Sequence, residues 1–154
     1  MAVQLNRVVK DFKADITGDS TLRLKDLRGQ KVVLYFYPKD NTPGCTTEGE
    51  DFRDNHRKFR RAKAVVLGIS RDSLKSHEKF RDKFDFPFDL ISDEDEKLCN
   101  QFDVIKDKNM YGKKVRGIER STFLIDENGK LRREWRKVKV KGHVDEVLAA
   151  VKEL

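Results

Sequence analysis

KVVLYFYPKDNTPGCTTEGEDFRD, residues 31–54, holds a strand, a turn and the start of a helix in one run. Lys31 to Tyr37 is an unbroken β-branched and aromatic stretch, the composition of a strand buried on both faces at the centre of a sheet. Pro38 ends it. Thr42 then stands where a helix N-cap is expected, and Pro43 at the first helical position, where its missing N–H costs nothing. Cys45 follows in the predicted first turn, and Phe52, His56 and Phe59 continue one helix face to about Arg60, with Gly49 a weak point.

Outward from this segment, strands and helices alternate, which implies a layered α/β fold. Residues 64–70 (AVVLGIS) read as a second strand, and a helix follows with Asp72 or Ser73 as cap and Leu74, His77, Phe80 and Phe84 as its apolar side. Phe86-Pro87 closes that helix, and a short extended piece covers Phe88 to Ile91. The acidic run SDEDEK reads as the first turn of a further helix carrying Leu98, Cys99 and Phe102 and ending near Asp103. STFLID-ENG-KLRREW is a hairpin turning at Asn128-Gly129, and His143 to Glu153 is an amphipathic helix with Val144, Val147, Leu148 and Val151 on its core stripe.

At 154 residues, with no repeat or low-complexity linker, the sequence predicts a single domain over 1–154. No apolar stretch approaches the roughly 20 residues that cross a bilayer, and MAVQLNRVVK lacks a secretory core, so a cytoplasmic protein with no membrane partner is expected. The net charge is +7, but both signs alternate through stretches such as EGEDFRDNHRKFRRAK, the pattern of a solvated surface. No nucleic-acid partner is therefore expected; a basic binding module, which would leave Cys45 idle, is the competing reading from another class.

Two cysteines and three scattered histidines match no zinc spacing, so no metal is expected and chemistry or packing must account for the thiols. A free thiol, with a pKa of about 8.5, reacts only as its thiolate, and a helix N-terminus stabilises that anion. Cys45 lies at such a terminus within the polar, turn-forming DNTPGCTTE, where no packing pattern calls for a buried cysteine. Thr42 adds a hydroxyl three residues away, Pro38 and Pro43 stiffen the turn, and Gly44 leaves room for a small substrate. His56, His77 and His143 lie in or beside amphipathic patterns, which argues against a Cys–His protease pair.

These residues resemble a known family. YFYPKDNTPGCTTEGEDFRD, with Pro38-x-x-x-Thr42-x-x-Cys45, is similar to the active-site segment of the peroxiredoxins of the bacterioferritin comigratory protein (PrxQ) type. SHEKFRDKFDFPFDLISDEDEKLCNQFDV, GIERSTFLIDENGK and WRKVKVKGHVDEVL resemble successive segments of the same group, in order. The resemblance implies a thioredoxin-like fold with a central mixed sheet flanked by helices and an added N-terminal β-hairpin, no cofactor, and a monomer. It implies a thiol-dependent peroxidase acting on hydrogen peroxide and organic hydroperoxides, with Cys45 the peroxidatic cysteine, Thr42 hydrogen-bonded to peroxide and thiolate, Pro38 shielding the sulfur, and Arg120 stabilising developing charge. Glu48 is a candidate supporting residue.

The sequence departs from many members of the group at Glu50, where a resolving cysteine would stand five residues after Cys45. Cys99 is the remaining internal candidate, although burial beside Leu98 and Phe102 explains it equally well. The expected cycle therefore uses one cysteine, with thioredoxin, glutaredoxin or a small thiol reducing the sulfenic acid. A thioredoxin-like thiol–disulfide transferase is the nearest rival, but Cys45-Thr46-Thr47-Glu48 lacks its second thiol.

Overall fold

The computed structural model describes residues 3–154. Residues Lys31–Phe36 form β3, buried at every position and flanked by Ala64–Ser70 (β4) in parallel and Ser121–Ile125 (β8) antiparallel. With Lys13–Ile16 (β1), Ser20–Arg23 (β2), Leu90–Ser92 (β5) and Leu131–Trp135 (β9), these make a seven-stranded mixed sheet in the order β2-β1-β5-β4-β3-β8-β9. β1 and β2 are an antiparallel N-terminal hairpin, joined to the sheet because β1 also pairs antiparallel with β5. This is the thioredoxin-like architecture.

Because side chains alternate along a strand, β3 feeds two separate cores. Val32, Leu34 and Phe36 join Val9, Phe12, Leu98, Cys99 and Phe102 on one face of the sheet. Val33, Tyr35 and Tyr37 join Cys45, Phe52, Phe59, Phe80, Val147 and Val151 on the other. The second face is covered by helices Pro43–Asp54 (α1), His56–Arg61 (α2), Leu74–Phe84 (α3) and His143–Glu153 (α5). The short helix Lys97–Gln101 (α4) lies over the first.

Several local expectations change. The helix predicted from 43 to about 60 is two helices broken at Asn55, whose side chain donates to the Asp51 carbonyl and draws the chain out of the helical path. Gly49 lies inside α1 and is a packing position: a Cβ there would stand 2.4 Å from Phe86 Cζ. Ser73, not Asp72, caps α3, accepting from the Ser76 N–H at 3.1 Å. The acids of SDEDEK precede α4 instead of forming its first turn, because the Asp93 carboxylate takes the N–H groups of Leu98 and Cys99 at 3.0 and 2.8 Å. In the β8–β9 turn only Gly129 adopts positive φ, at 82°.

One element had no sequence signal strong enough to assign. Ile105–Met110 (β6) and Lys113–Ile118 (β7) pair as a separate two-stranded sheet, turning at Tyr111 and Gly112, both at positive φ.

Candidate active site

β3 ends at Phe36, Tyr37 follows it into the core, and the chain turns over residues 38–42 into α1. Thr42 has the extended backbone of an N-cap and Pro43 opens the helix, but the Thr42 hydroxyl donates to the Lys39 carbonyl at 2.9 Å rather than capping. Its hydrogen is thus committed within the turn, while the oxygen remains an acceptor. The first turn leaves the Gly44 and Cys45 N–H groups without an intrahelical acceptor. Cys45 itself is 2% exposed, beneath the partly exposed Pro38, Thr42 and Gly44.

Arg120, just before β8, crosses to this helix. Its Nη2 donates to Cys45 Sγ at 3.4 Å and its Nη1 to Glu48 Oε1 at 2.6 Å, so one guanidinium bridges a thiol and a carboxylate one helical turn apart. Gly44 lets it lie close, for a Cβ there would be 3.2 Å from Nη2. Glu48 is fully buried, and its Oε2 has no partner among the described residues. Burial pushes its carboxyl up to about 7, against the pull of Arg120.

A second buried network holds the turn. Asp40 accepts from the Tyr37 hydroxyl at 2.7 Å and the Ser76 hydroxyl at 2.8 Å, and faces His77 Nδ1 at 2.7 Å. His77 Nε2 donates to the Ile91 carbonyl at 2.9 Å, because a carbonyl can only accept. Asp72, which accepts from the Asp40 N–H and the Ser70 hydroxyl, completes the cluster. Asp40, Asp72 and His77 are spaced closely enough for a cation, but hydrogen bonds already engage their ligand atoms. His77 and Asp40 thus tie the 38–42 turn to α3, a role that no motif in the sequence signals.

Cys99 is in the core on the opposite side of the sheet from Cys45, and both thiols are free. Burial, then Asp93, pushes the Cys99 thiol well above its ordinary range. Glu50, partly exposed on α1, is 3.7 Å from Arg53. His143 is buried against Thr122, 2.8 Å from its hydroxyl, and burial followed by the charge of Arg120 holds its imidazole down at about 4. His56 lies in α2 at the rim of the second core.

Residues 5–134 match the AhpC/TSA family. The chain belongs to that family. It is a peroxiredoxin of the bacterioferritin comigratory protein type: it is 53% identical to Peroxiredoxin Bcp of Xanthomonas campestris over 97% of this chain and 94% of that protein. It is 49% identical to Peroxiredoxin Bcp of Bacillus subtilis over 100% of this chain and 98% of that one. Among solved structures, Xanthomonas campestris Peroxiredoxin Q superposes with a TM-score of 0.91 at 53% identity, covering 98% of this chain and 96% of that one. A Xylella fastidiosa PrxQ cysteine-to-serine mutant gives 0.94 at 45% identity, covering 99% and 98%. A further Xanthomonas campestris structure was determined to study alkyl peroxide reduction by that protein, with a TM-score of 0.91 at 52% identity over 98% and 96% of the two chains. This peroxiredoxin is a thiol-dependent peroxidase, an oxidoreductase taking peroxide substrates and a thiol reductant. Among the described residues, no helix is long and apolar enough to cross a membrane.

Proposed function

We propose that Cys45 is the peroxidatic cysteine of a one-cysteine cycle. The observation that carries this is the Arg120 guanidinium donating to Sγ at 3.4 Å from a cleft lined by Pro38. The Cys45 thiolate attacks one oxygen of ROOH, the O–O bond breaks, and the departing RO⁻ takes a proton to leave as ROH; Cys45 becomes a sulfenic acid. Arg120 offsets the negative charge as it moves from sulfur to the leaving oxygen. Thr42, whose oxygen is free to accept, positions the peroxide hydroxyl, Pro38 shields the sulfenic acid, and Glu48 aims Arg120.

No thiol stands at Glu50, and Cys99 is separated from Cys45 by the sheet itself. An external thiol therefore attacks the Cys45 sulfur directly, with thioredoxin, glutaredoxin or a small thiol as donor. The chain acts as one domain and as a monomer in the cytoplasm, on hydrogen peroxide and organic hydroperoxides.

Peroxide consumption by Cys45→Ser and Cys99→Ser with dithiothreitol as donor tests the reading. Cys45→Ser should lose activity entirely, and Cys99→Ser should retain it within about twofold, since its thiol lies in packed core with no role in the cycle. Mass spectrometry after one equivalent of peroxide should place a mixed disulfide with added thiol on Cys45. Activity in Cys45→Ser, or an intramolecular Cys45–Cys99 disulfide, overturns it.

A further inference from the structure

The β6–β7 hairpin has two unlike faces. Strand alternation and the pairing register put Asp107, Asn109, Lys114 and Arg116 on one side, with Ile105 and Ile118 at its base. That side is anchored to the body: Arg116 makes two hydrogen bonds to Glu96, at 2.6 and 2.8 Å, Arg71 shares the same carboxylate, and Ile118 is fully buried. The other side carries Lys106, Lys108 and Met110 opposite Gly117, Val115 and Lys113. Met110 and Val115 are exposed, and the turn residue Tyr111 is fully exposed.

This second side continues into the site. Lys106 and Lys108 line a cleft of about 930 Å³ together with Pro38, Arg120, Arg136 and Lys137; Asp103, Asp107 and Glu119 line it as well, which leaves the cations in excess by five to three. Lys106 is paired with Asp103 at 3.2 Å, and Lys108 donates to the Ile118 carbonyl, so the cations are held at the rim. A strip of net positive charge interleaved with Met, Val and Tyr thus runs from Arg120, which touches Cys45, to the hairpin tip. Along β6 alone it spans roughly 14 Å, from the rise of about 3.4 Å per residue. A small anionic thiol would fill only the cleft; the strip has the length of a protein interface, with Tyr and Met as its contact residues and the lysines as its polar rim.

Building on the one-cysteine reading above, we infer that this face docks the reductant: a dithiol protein whose reactive thiol is surrounded by carboxylates and a small apolar patch. The positive strip steers the acidic partner and fixes its orientation. The partner's thiolate attacks Cys45 sulfur, the S–O bond breaks, and hydroxide leaves with a proton as water. The partner's second thiolate then displaces Cys45 from the mixed disulfide, so the partner loses two electrons as it closes its own disulfide and Cys45 regains its thiolate.

The test compares Tyr111→Ser/Lys113→Glu with Lys114→Glu, which places a like charge change on the anchored side. A thioredoxin of net negative charge and dithiothreitol serve as alternative donors. The Tyr111→Ser/Lys113→Glu variant should raise KM for the thioredoxin about tenfold, as loss of an aromatic anchor and a steering charge does. Lys114→Glu should raise it less than about threefold, and turnover with dithiothreitol should be the same in all three proteins. Equal KM values for wild type and Tyr111→Ser/Lys113→Glu overturn the docking face. So does retention of a single-stranded oligonucleotide at physiological salt by wild type but not by that variant, which assigns the strip to nucleic acid. Loss of dithiothreitol turnover in Cys99→Ser strikes the one-cysteine cycle instead and leaves the docking comparison legible.

Discussion

Glu48 presents one carboxylate oxygen to Arg120 and buries the other without a partner. Such a group is costly, and burial keeps it protonated up to about pH 7. Below that, Glu48 is neutral and the charge of Arg120 is directed wholly at the sulfur; above it, the carboxylate competes for the same guanidinium. The second-order rate of peroxide consumption by wild type should therefore show an inflection near pH 7, and Glu48→Gln, which keeps an oxygen acceptor for Nη1 and removes the titration, should show none. Glu48→Ala frees Nη1 and should lower that rate roughly 10- to 100-fold, the scale of a mispositioned catalytic group. Stopped-flow rates from pH 5.5 to 8.5 decide the matter, and an unchanged inflection in Glu48→Gln would assign it to another group.

At the scale of elements, α1 presents Cys45 correctly only if it sits tightly on the aromatic cluster beneath it. Phe86 meets Gly49 from below and is itself stacked on Phe88 at 5.2 Å and edge-on to Phe80 at 5.0 Å, so the ring has little room to give. Gly49→Ala should destabilise by about 1–3 kcal/mol through overpacking, outweighing the roughly 1 kcal/mol of helix propensity that alanine adds. Urea unfolding measures it, and a raised midpoint would mean that Phe86 yields. From sequence, Gly49 reads as a flaw because a helix pattern does not reveal what lies across from it. The same blindness explains the other differences. β3, the β8–β9 hairpin and α5 were legible because their apolar periodicity is strong. β6 and β7 were not, since the face toward the cleft is Lys, Lys, Met, Lys and Val, with no apolar alternation to read. The break at Asn55 rests on one side-chain-to-backbone bond from Asn55, and the delayed start of α4 on two backbone N–H groups donating to the Asp93 carboxylate. Cys45, Pro38 and Thr42 were legible from their local spacing, whereas Arg120 lies 75 residues from the sulfur it touches and was legible only through the family resemblance. The Asp40–His77 tie was hidden because His77 falls on an apolar stripe.

Across the whole molecule, the site and the fold share charges in a way that should appear in the pH dependence of stability. His143 joins the last helix to the sheet through Thr122 and Trp135, and it is held neutral in the native state down to about pH 4, against an ordinary value of 6.5. The unfolded chain binds that proton more readily between those values, so this contribution is fully present above pH 6.5 and is lost as pH falls toward 4. Glu48 has the opposite sign: its native carboxyl is raised from 4.5 to about 7, so its contribution is present below pH 4.5 and is lost as pH rises through 7. Each shift corresponds to roughly 3 kcal/mol between its limits, and over pH 4.5–6.5 the two slopes oppose each other. His56, also held below its ordinary value by burial and Arg60, adds a smaller slope of the same sign as His143. Wild type should therefore be nearly level across this window. His143→Gln, which can still hydrogen-bond Thr122, should leave the Glu48 slope exposed and become less stable as pH rises from 4.5 to 7. Glu48→Gln should do the reverse and become more stable over the same range. Urea midpoints at pH 4.5, 5.5 and 7 for the three proteins test this, and slopes of the same sign in the two variants would show that the buried acid beside Cys45 and the buried base beneath α5 are not the groups that set the balance.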